Sequence, residues 1–180
     1  IRFGSGRRPD PQAVSCGPRA GAKVACIAGP QMEKTVRRDR QRMLLVARRR
    51  RRQLVLRLKL SAGSALLVSN EPDVHYLSGF GGQDSDSYLL LGPSWACLLT
   101  DGRFDEQAHE ECPDIEIVVR KGPMGEAIEQ VVRQRRLRRV GFQKGYVTVA
   151  MQEALSRRLG RRLRAMDDGL LAQRAIKDEL

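Results

Sequence analysis

The residues whose types and spacing could support chemistry lie between positions 73 and 104. Two motifs flank a polar, glycine-containing loop: DVHYLSGF at 73–80, then the loop GGQDSDS at 81–87, then LLTDGRF at 98–104. In the second motif Asp101 and Arg103 are two residues apart at the end of a predicted strand, so their side chains can point the same way and form an ion pair. In the first motif Gly79 suits a tight bend that Phe80 then covers.

These features have a structural and a functional interpretation, and both remain open. The run at 100–103 is also what a turn followed by a helix cap requires, with no ligand involved. The loop at 81–87 is different, because it is polar and unsuited to a core. We therefore expect this loop to be the part of the segment that contacts another molecule.

Histidines and carboxylates could bind a metal ion, but their spacing does not favour one. The sequence contains two histidines, His75 and His109. His109 begins the run HEEC, yet adjacent helical residues point about 100° apart and cannot hold one ion as a pair four residues apart can. No Ser/His/Asp order, nucleophile elbow or phosphate-binding glycine loop is present. We therefore predict no metal site and no catalytic residue in this chain.

The formal charge of +12 is confined to one end of the chain. Residues 1–52 contain 15 basic and 3 acidic residues, whereas residues 53–180 contain 18 of each. The basic end is also rich in Gly and Pro and has no sustained apolar period before Met43. Because such a segment cannot bury enough apolar surface to offset its ordering entropy, we predict a disordered leader at 1–37.

Three origins of this leader remain open. It is compatible with an arginine-rich targeting peptide, a nucleic-acid-binding tail or an over-extended reading frame, since residue 1 is Ile and Met32 and Met43 offer possible starts. Five consecutive arginines at 48–52 follow within a predicted helix. We expect them to be mostly solvated, with their aliphatic stems over neighbouring residues. Nucleic-acid binding by this run is the less favoured alternative.

Cysteine usage and hydropathy indicate a reducing, cytoplasmic location. The four cysteines show no C-x-x-C spacing, which argues against a disulfide framework or a zinc site. No apolar run approaches the roughly 18 residues that a membrane span needs, and no signal-peptide pattern is visible. The final four residues spell an ER-retrieval address, KDEL, which we interpret as an accident of where the chain stops.

The elements that position the 73–104 segment alternate between strand and helix. Apolar runs and turn residues predict strands at 65–69, 88–91, 95–100, 115–119, 139–142 and 162–166. Helices are predicted at 38–60, 104–111, 125–136, 148–160 and 170–177, while 74–77 suits a helical turn or an extended piece. This order indicates an α/β domain of three α/β/α layers, with a mixed sheet of about five to six strands. We assign it to 38–168, with the start of a linker helix at 169–180.

Five motifs, in this order, resemble the N-terminal domain of Xaa-Pro aminopeptidases, in the creatinase/prolidase group of pita-bread metallopeptidases. The matching stretches are ALLV at 65–68, VHYLSGF at 74–80, LTDGRF at 99–104 with QA at 107–108, RVGF at 139–142 and RAIKDE at 174–179. The last resembles the junction that opens the family's catalytic domain. Phe104 stands where the family has Tyr, and Gln143 where it has Glu. The resemblance covers about residues 40–180.

The resemblance implies a ribonuclease H-like fold and a role without catalysis. In relatives a C-terminal domain hydrolyses the bond before a prolyl residue, using two divalent metal ions, with manganese expected, held by two Asp, one His and two Glu. We expect this chain to stop before such a domain begins, and so to carry no catalytic residue, metal ligand or cofactor of its own.

The resemblance also implies site residues and partners. In relatives the loop that matches 81–87 leans from one subunit toward the active site of its neighbour. The candidate substrate-side contacts are therefore Phe80, Asp84 and Ser85. The structural motif consists of Tyr76, Gly79, Asp101 and Arg103. We expect the domain to pack on its own catalytic domain, to restrict the access of proline-containing peptides and to form a homo-oligomer.

Two other functions remain open. Pita-bread proteins can lose catalysis, so the domain could act alone as a binding or scaffold module. A nucleic-acid binder that uses the arginine-rich leader is less favoured, because the domain itself carries no excess charge. Aminopeptidase, prolidase and creatinase specificities are all compatible with the motifs.

Overall fold

The computed structural model describes residues 30–82, 86–167 and 169–175. Its strands are β1 Ser64–Val68, β2 Tyr88–Leu91, β3 Ala96–Asp101, β4 Glu116–Arg120, β5 Arg139–Gln143 and β6 Leu163–Met166. Its α-helices are α1 Pro30–Leu58, α2 Glu71–Ser78, α3 Asp105–Glu111, α4 Met124–Gln134, α5 Val149–Leu159 and α6 Leu170–Arg174. Two short 3-10 turns, Gly102–Phe104 and Gly160–Arg162, precede α3 and β6.

The six strands form one mixed sheet in the order β4-β3-β2-β1-β5-β6. Only β2 runs antiparallel to its neighbours, whereas the β1–β5, β5–β6 and β3–β4 pairs are parallel. Five strands therefore end at one edge of the sheet, called here the carboxyl edge, and begin at the opposite edge, called the amino edge. The segment that enters β2 lies at the carboxyl edge, and the turn from β2 to β3 lies at the amino edge.

Helices cover both faces of the sheet, which explains why its central strands are apolar on both sides. Alternate residues of β1 enter different cores, with Leu67 on one face and Leu66 on the other. On the Leu67 face the core is completed by α4 and α5. On the Leu66 face it is completed by α1, α2, α3 and α6. The predicted three-layer α/β/α fold with a mixed sheet is confirmed, and the sheet has six strands.

Two element boundaries differ from the prediction. Helix α1 begins at Pro30, within the stretch predicted to be a leader, rather than near residue 38. Residues 37–43 are all exposed, so this part of the helix has no buried face and produces no apolar period. The piece at 74–77 belongs to an eight-residue helix, α2. Residues 1–29 of the predicted leader, and 176–180 of the predicted linker helix, lie outside the described residues.

Candidate functional site

The two sequence motifs meet at the carboxyl edge of the sheet. Strand β1 leads into α2, which ends at the loop predicted to contact another molecule, and the loop leads into β2. Because β2 is antiparallel to β3, the start of β2 lies beside the end of β3, where Tyr88 pairs with Leu99. The loop therefore lies against the Asp101 end of β3.

A compact set of hydrogen bonds builds the bend at the end of α2. Gly79 has φ +81°, a left-handed conformation that favours glycine, and its N–H donates to the His75 carbonyl at 2.8 Å. The Phe80 N–H donates to Ser78 Oγ at 3.0 Å, and this hydroxyl donates to the Val74 carbonyl at 2.6 Å. His75 Nδ1 donates to the Phe80 carbonyl at 2.9 Å. The chain therefore enters the loop in one defined direction.

The ring of Phe80 lies in the core, although sequence reasoning placed it among the substrate-side contacts. Phe80 is only 3% exposed, and its ring meets the Phe104 ring edge to face, with centroids 6.0 Å apart. Gly82 is buried against the same ring, since a Cβ at Gly82 would lie 2.5 Å from Phe80 Cε1. The structure thus uses Phe80 as the support beneath the loop, and its side chain does not face outward.

The loop is fastened at both ends. On one side the Gly81 N–H donates to Glu111 Oε2 at 2.7 Å, and Gln107 of the same helix, α3, donates to the other oxygen of that carboxylate at 3.0 Å. On the other side Ser87 is buried, with its hydroxyl 2.8 Å from the Thr100 hydroxyl.

Beside Ser87 the Arg120 guanidinium lies 3.4 Å from Asp86 Oδ2. The same guanidinium is 3.9 Å from Asp101 Oδ2, so Arg120 lies between the loop and the end of β3. The other two candidate contacts, Asp84 and Ser85, lie outside the described residues. What the structure shows is that both ends of their segment are held in place.

Asp101 and Arg103 form the ion pair that their spacing predicts. Asp101 Oδ1 accepts from the Arg103 N–H at 2.9 Å and from Arg103 Nε at 3.1 Å, and Oδ2 accepts from Nη2 at 2.8 Å. These hydrogen bonds lower the pKa of Asp101 to about 2. Asp101 also caps the 3-10 turn that follows it. The Arg103 side chain is 73% exposed, so the pair mainly shapes the exit from β3.

Tyr76 links three helices. The Arg50 guanidinium of α1 lies 4.0 Å from the centroid of the Tyr76 ring, a cation–π contact, and Arg50 also donates to the Tyr76 carbonyl at 3.1 Å. The Tyr76 hydroxyl donates to the Gln173 carbonyl of α6 at 3.3 Å. Gln173 in turn donates through Nε2 to the Arg50 carbonyl at 3.1 Å. The helix α6, which leads to the junction motif, is therefore joined to both α1 and α2.

Sequence reasoning missed a buried polar network at the same edge. The Asp73 carboxylate is 1% exposed and accepts from Asn70 Nδ2 at 2.9 Å, Gln143 Nε2 at 2.7 Å and Arg174 Nη1 at 2.9 Å. Gln143 Oε1 accepts from the backbone N–H groups of Ser69 and Asn70. The sequence held one signal for this network, since Gln143 stands where the resembled family has Glu. An amide can donate a hydrogen bond to Asp73, whereas a carboxylate cannot.

The histidines and cysteines are engaged elsewhere. His109 Nδ1 lies 2.9 Å from both the carbonyl and the carboxylate of Asp105, one turn earlier in α3. Among the described residues, no group of three or more His, Cys, Asp or Glu is placed to hold a metal ion. Burial raises the pKa of the Cys97 and Cys112 thiols to about 12, so both are protonated at neutral pH.

Comparisons with known proteins agree with this architecture. The model of the Creatinase/Prolidase N-terminal domain matches residues 50–176. No curated protein matches the sequence significantly. Among solved structures, the N-terminal domain of the cytoplasmic peptidase PepQ from Mycobacterium tuberculosis is 27% identical, with a TM-score of 0.57, over 71% of this chain and 96% of that one.

Two longer proteins share the fold over part of their length. The Xaa-Pro dipeptidase from Bacillus anthracis has a TM-score of 0.64 at 22% identity, over 76% of this chain and 37% of that one. The X-Pro aminopeptidase from Thermotoga maritima has a TM-score of 0.58 at 25% identity, over 64% of this chain and 34% of that one. This chain thus matches about a third of their length and nearly all of the separate PepQ domain. Since the family model covers most of the sequence, the chain belongs to the creatinase/prolidase N-terminal domain family.

Proposed function

We propose that this chain is the non-catalytic N-terminal domain of an Xaa-Pro aminopeptidase-like metallopeptidase. In this role the domain packs on a catalytic domain, restricts access to its cleft and contributes to a homo-oligomer. The parent protein would hydrolyse the bond between an N-terminal residue and the proline that follows it. Two divalent metal ions, with manganese expected, would be bound by the catalytic domain and not by this one.

The observation that carries this proposal is the connection between α6, which runs into the motif at 174–179, and α2, which ends at the loop. Arg174 of α6 pairs with Asp73 of α2, and α2 ends at Gly79, where the loop begins. Tyr76 adds a second contact between the same two helices. A domain joined through α6 would therefore have a fixed orientation relative to the loop, which is the arrangement that restricting access to a cleft requires.

The loop supplies the groups that would face a substrate. With Phe80 in the core, Asp84 and Ser85 remain as the proposed substrate-side contacts, and Asp86 beside them is exposed. A carboxylate there is suited to the free amino terminus of a peptide, since the two carry opposite charges. Aminopeptidase activity needs such a contact because its substrates present a charged amino group next to the scissile bond.

We also place the protein in the cytoplasm. Its PepQ neighbour is a cytoplasmic peptidase, and the two described cysteines are free thiols. None of the helices within residues 30–82, 86–167 and 169–175 is long and apolar enough to cross a membrane.

Two experiments test the proposed function. The chain is assayed with manganese and an Xaa-Pro peptide, and we expect no turnover, whereas hydrolysis would contradict a non-catalytic role. The coding DNA is then sequenced past the codon for Leu180. We expect two Asp, one His and two Glu codons at the spacing of the metallopeptidases, and a stop codon directly after Leu180 would overturn the assignment to a peptidase.

In a parent protein obtained this way, the loop is tested with Asp84→Asn and with Asp86→Asn as the matched control. We expect Asp84→Asn to raise KM for an Xaa-Pro peptide about tenfold, the loss typical of one charge-assisted contact. Asp86→Asn should raise KM much less than Asp84→Asn, because the Asp86 carboxylate already faces Arg120. Equal changes in KM for the two variants would contradict a contact between Asp84 and the substrate.

A further inference from the structure

A cleft at the amino edge of the sheet has no place in the function proposed above. It opens between α1 and the turn that joins β2 to β3, is also lined by Asp114 and Ile115, and has a volume of about 380 Å³. Small-molecule sites begin at about 300 Å³, so the cleft is large enough for a compact ligand.

Arginines of α1 make the cleft strongly basic. Arg48, Arg51 and Arg52 line it together with a single carboxylate, Asp114. Arg51 is buried, forms an ion pair with Asp114 and donates to the Leu77 carbonyl at 2.8 Å, so its charge is compensated. Arg48 and Arg52 are exposed and make no hydrogen bond or ion pair with any residue in the described ranges. The cleft therefore carries two uncompensated positive charges.

These two arginines are placed to act on one anion. They are four residues apart on α1, so they lie on the same side of the helix, one turn from each other. A guanidinium presents a planar set of N–H donors that matches the oxygens of a phosphate group. A phosphate monoester carries a charge of about −1.5 to −2 at pH 7, which balances two guanidinium groups, whereas a monocarboxylate balances only one.

The remaining wall is apolar and rigid. Val55 and Trp95 line it with Ile115. The Trp95 indole lies so close to Gly92 that a Cβ there would fall 2.2 Å from the ring, and the Gly92 N–H donates to the Trp95 carbonyl at 2.9 Å. The Arg135 guanidinium lies 4.3 Å from the Trp95 ring centroid. The indole is thus held in one position, with an apolar surface beside the two arginines.

We propose that this cleft binds a small phosphate monoester whose apolar or aromatic body lies against the Trp95 wall. The phosphate binds Arg48 and Arg52, and Arg51 serves to hold the helix in place. This assigns a role to Arg48 and Arg52, the two exposed arginines of the run at 48–52 that line the cleft. It does not depend on the proposed peptidase function, because none of the residues that line the cleft belongs to the loop at 81–87.

The test uses adenosine monophosphate as the probe and Trp95 as the reporter. Trp95 is the one tryptophan of the 180-residue chain, so a change in tryptophan emission reports on this cleft alone. We expect a saturable change on titration with adenosine monophosphate and none with adenosine, which lacks the phosphate. Affinity should fall as the pH drops below about 6, where the phosphate monoester takes up a proton. A response of equal affinity to adenosine, or no saturable response at millimolar concentrations, would overturn the proposal.

Two variants separate the site from general charge attraction. Arg48→Gln/Arg52→Gln removes both proposed ligands, and we expect affinity to fall at least tenfold. Arg49→Gln alters an exposed arginine of the same run that does not line the cleft, and affinity should be unchanged. Thermal unfolding of each variant shows that the fold is retained. Equal losses of affinity in both variants would mean that adenosine monophosphate is attracted by the overall charge of α1 and not by Arg48 and Arg52.

A further titration distinguishes a small phosphate monoester from the phosphates of a nucleic acid. Free adenosine monophosphate is compared with a short single-stranded oligonucleotide that has no terminal phosphate. We expect the free nucleotide to bind more tightly, because only a monoester carries the second negative charge. Tighter binding of the oligonucleotide, with a steep loss of affinity as salt increases, would overturn the small-ligand proposal in favour of a nucleic-acid surface.

Discussion

Asp73 and Arg174, 101 residues apart in the sequence, form an ion pair in which Arg174 Nη1 lies 2.9 Å from Asp73 Oδ1. Asp73 is almost fully buried, whereas the Arg174 side chain is 32% exposed. The pair connects the start of α2 with the end of α6 as described, and Gln143 of β5 donates to the same carboxylate. One side chain thus joins strand β5 of the sheet, helix α2 that leads to the loop, and helix α6.

Replacing Asp73 with alanine should therefore be costly. Asp73→Ala leaves the Gln143 amide and the Arg174 guanidinium without their acceptor, which we expect to reduce the free energy of unfolding by about 2–3 kcal/mol. The matched control is Glu71→Ala, which removes an exposed carboxylate from the same first turn of α2 and should change stability by less than about 0.5 kcal/mol. Urea unfolding of both variants measures the difference, and similar values would contradict the role of Asp73.

Arg174→Met should act locally. It removes one of three donors to Asp73 but leaves Asn70 and Gln143 in place, so the global stability should fall less than in Asp73→Ala. Helix α6 is also held by Leu170 in the core, by the Tyr76 hydroxyl and by Gln173, which donates to the Arg50 carbonyl. We expect faster amide hydrogen exchange in α6 than in the wild-type chain, with α4 and α5 unchanged. Uniform acceleration across the domain would contradict a local role.

The packing of Phe80 beneath the loop leads to another prediction about stability. In Gly82→Ala the new methyl group would lie 2.5 Å from the buried Phe80 ring and 3.3 Å from Phe104 Cδ1, so both rings would have to shift. We expect a loss of about 1–3 kcal/mol, as for other overpacked cores.

The neighbouring glycine is the control for this substitution. A Cβ at Gly81 has only ordinary contacts, the nearest at 3.5 Å from the Glu111 carboxylate, so Gly81→Ala should be nearly neutral. Chemical denaturation of the two variants makes the comparison. A neutral Gly82→Ala would show that the Phe80 ring yields and that it does not support the loop rigidly.

Patterns that act within a few residues were readable from the sequence. The apolar runs of β2 and β3 sit on either side of a Gly-Pro-Ser turn and form the predicted hairpin. Thr148 caps α5 as expected, with its hydroxyl accepting from the Met151 N–H at 3.2 Å. In both cases the residues that determine the structure are close neighbours in the chain, so no knowledge of the tertiary fold is needed.

Features that depend on the packing of distant elements were not readable. The contact of Asp73 with Gln143 spans 70 residues and exists only because β1 pairs with β5 in parallel.

The burial of Arg51 could have been predicted locally, but the run of five arginines hid the pattern. Arg51 lies between Ala47 and Leu54 at helical spacing, so it occupies a core position of α1.

The buried arginine leads to a prediction within the arginine run itself. Arg51→Met removes the ion pair with Asp114 and the hydrogen bond to the Leu77 carbonyl at the end of α2, and we expect a loss of about 1–3 kcal/mol. Arg49→Met alters an exposed neighbour and should change stability by less than about 0.5 kcal/mol. Thermal and urea unfolding of the two variants measure the difference in stability. An Arg51→Met variant as stable as Arg49→Met would mean that methionine packing fully replaces the polar contacts.

The buried thiols should be unreactive in the native state. Burial raises the pKa of Cys97 and Cys112 to about 12, so the reactive thiolate is scarce at neutral pH. Cys16 and Cys26 are first changed to serine, which leaves these two as the remaining cysteines. We expect alkylation by iodoacetamide to be slow without denaturant and complete in urea, as followed by mass spectrometry. Rapid labelling of Cys112 in native buffer would show that the α3 end opens easily.

The Asp101–Arg103 pair predicts how stability depends on acidity. Hydrogen bonds from Arg103 lower the pKa of Asp101 from 3.8 to about 2 in the folded chain, so the folded state binds this proton less readily than the unfolded state does. The stabilisation by Asp101 is therefore fully present above pH 3.8 and is lost as the pH falls through about 2. It should be small, because Arg103 is largely exposed. We expect Asp101→Asn to be less stable than the wild-type chain in urea at neutral pH, and the difference to shrink as the pH approaches 2. A difference that stays constant down to that pH would contradict a contribution from the carboxylate charge of Asp101.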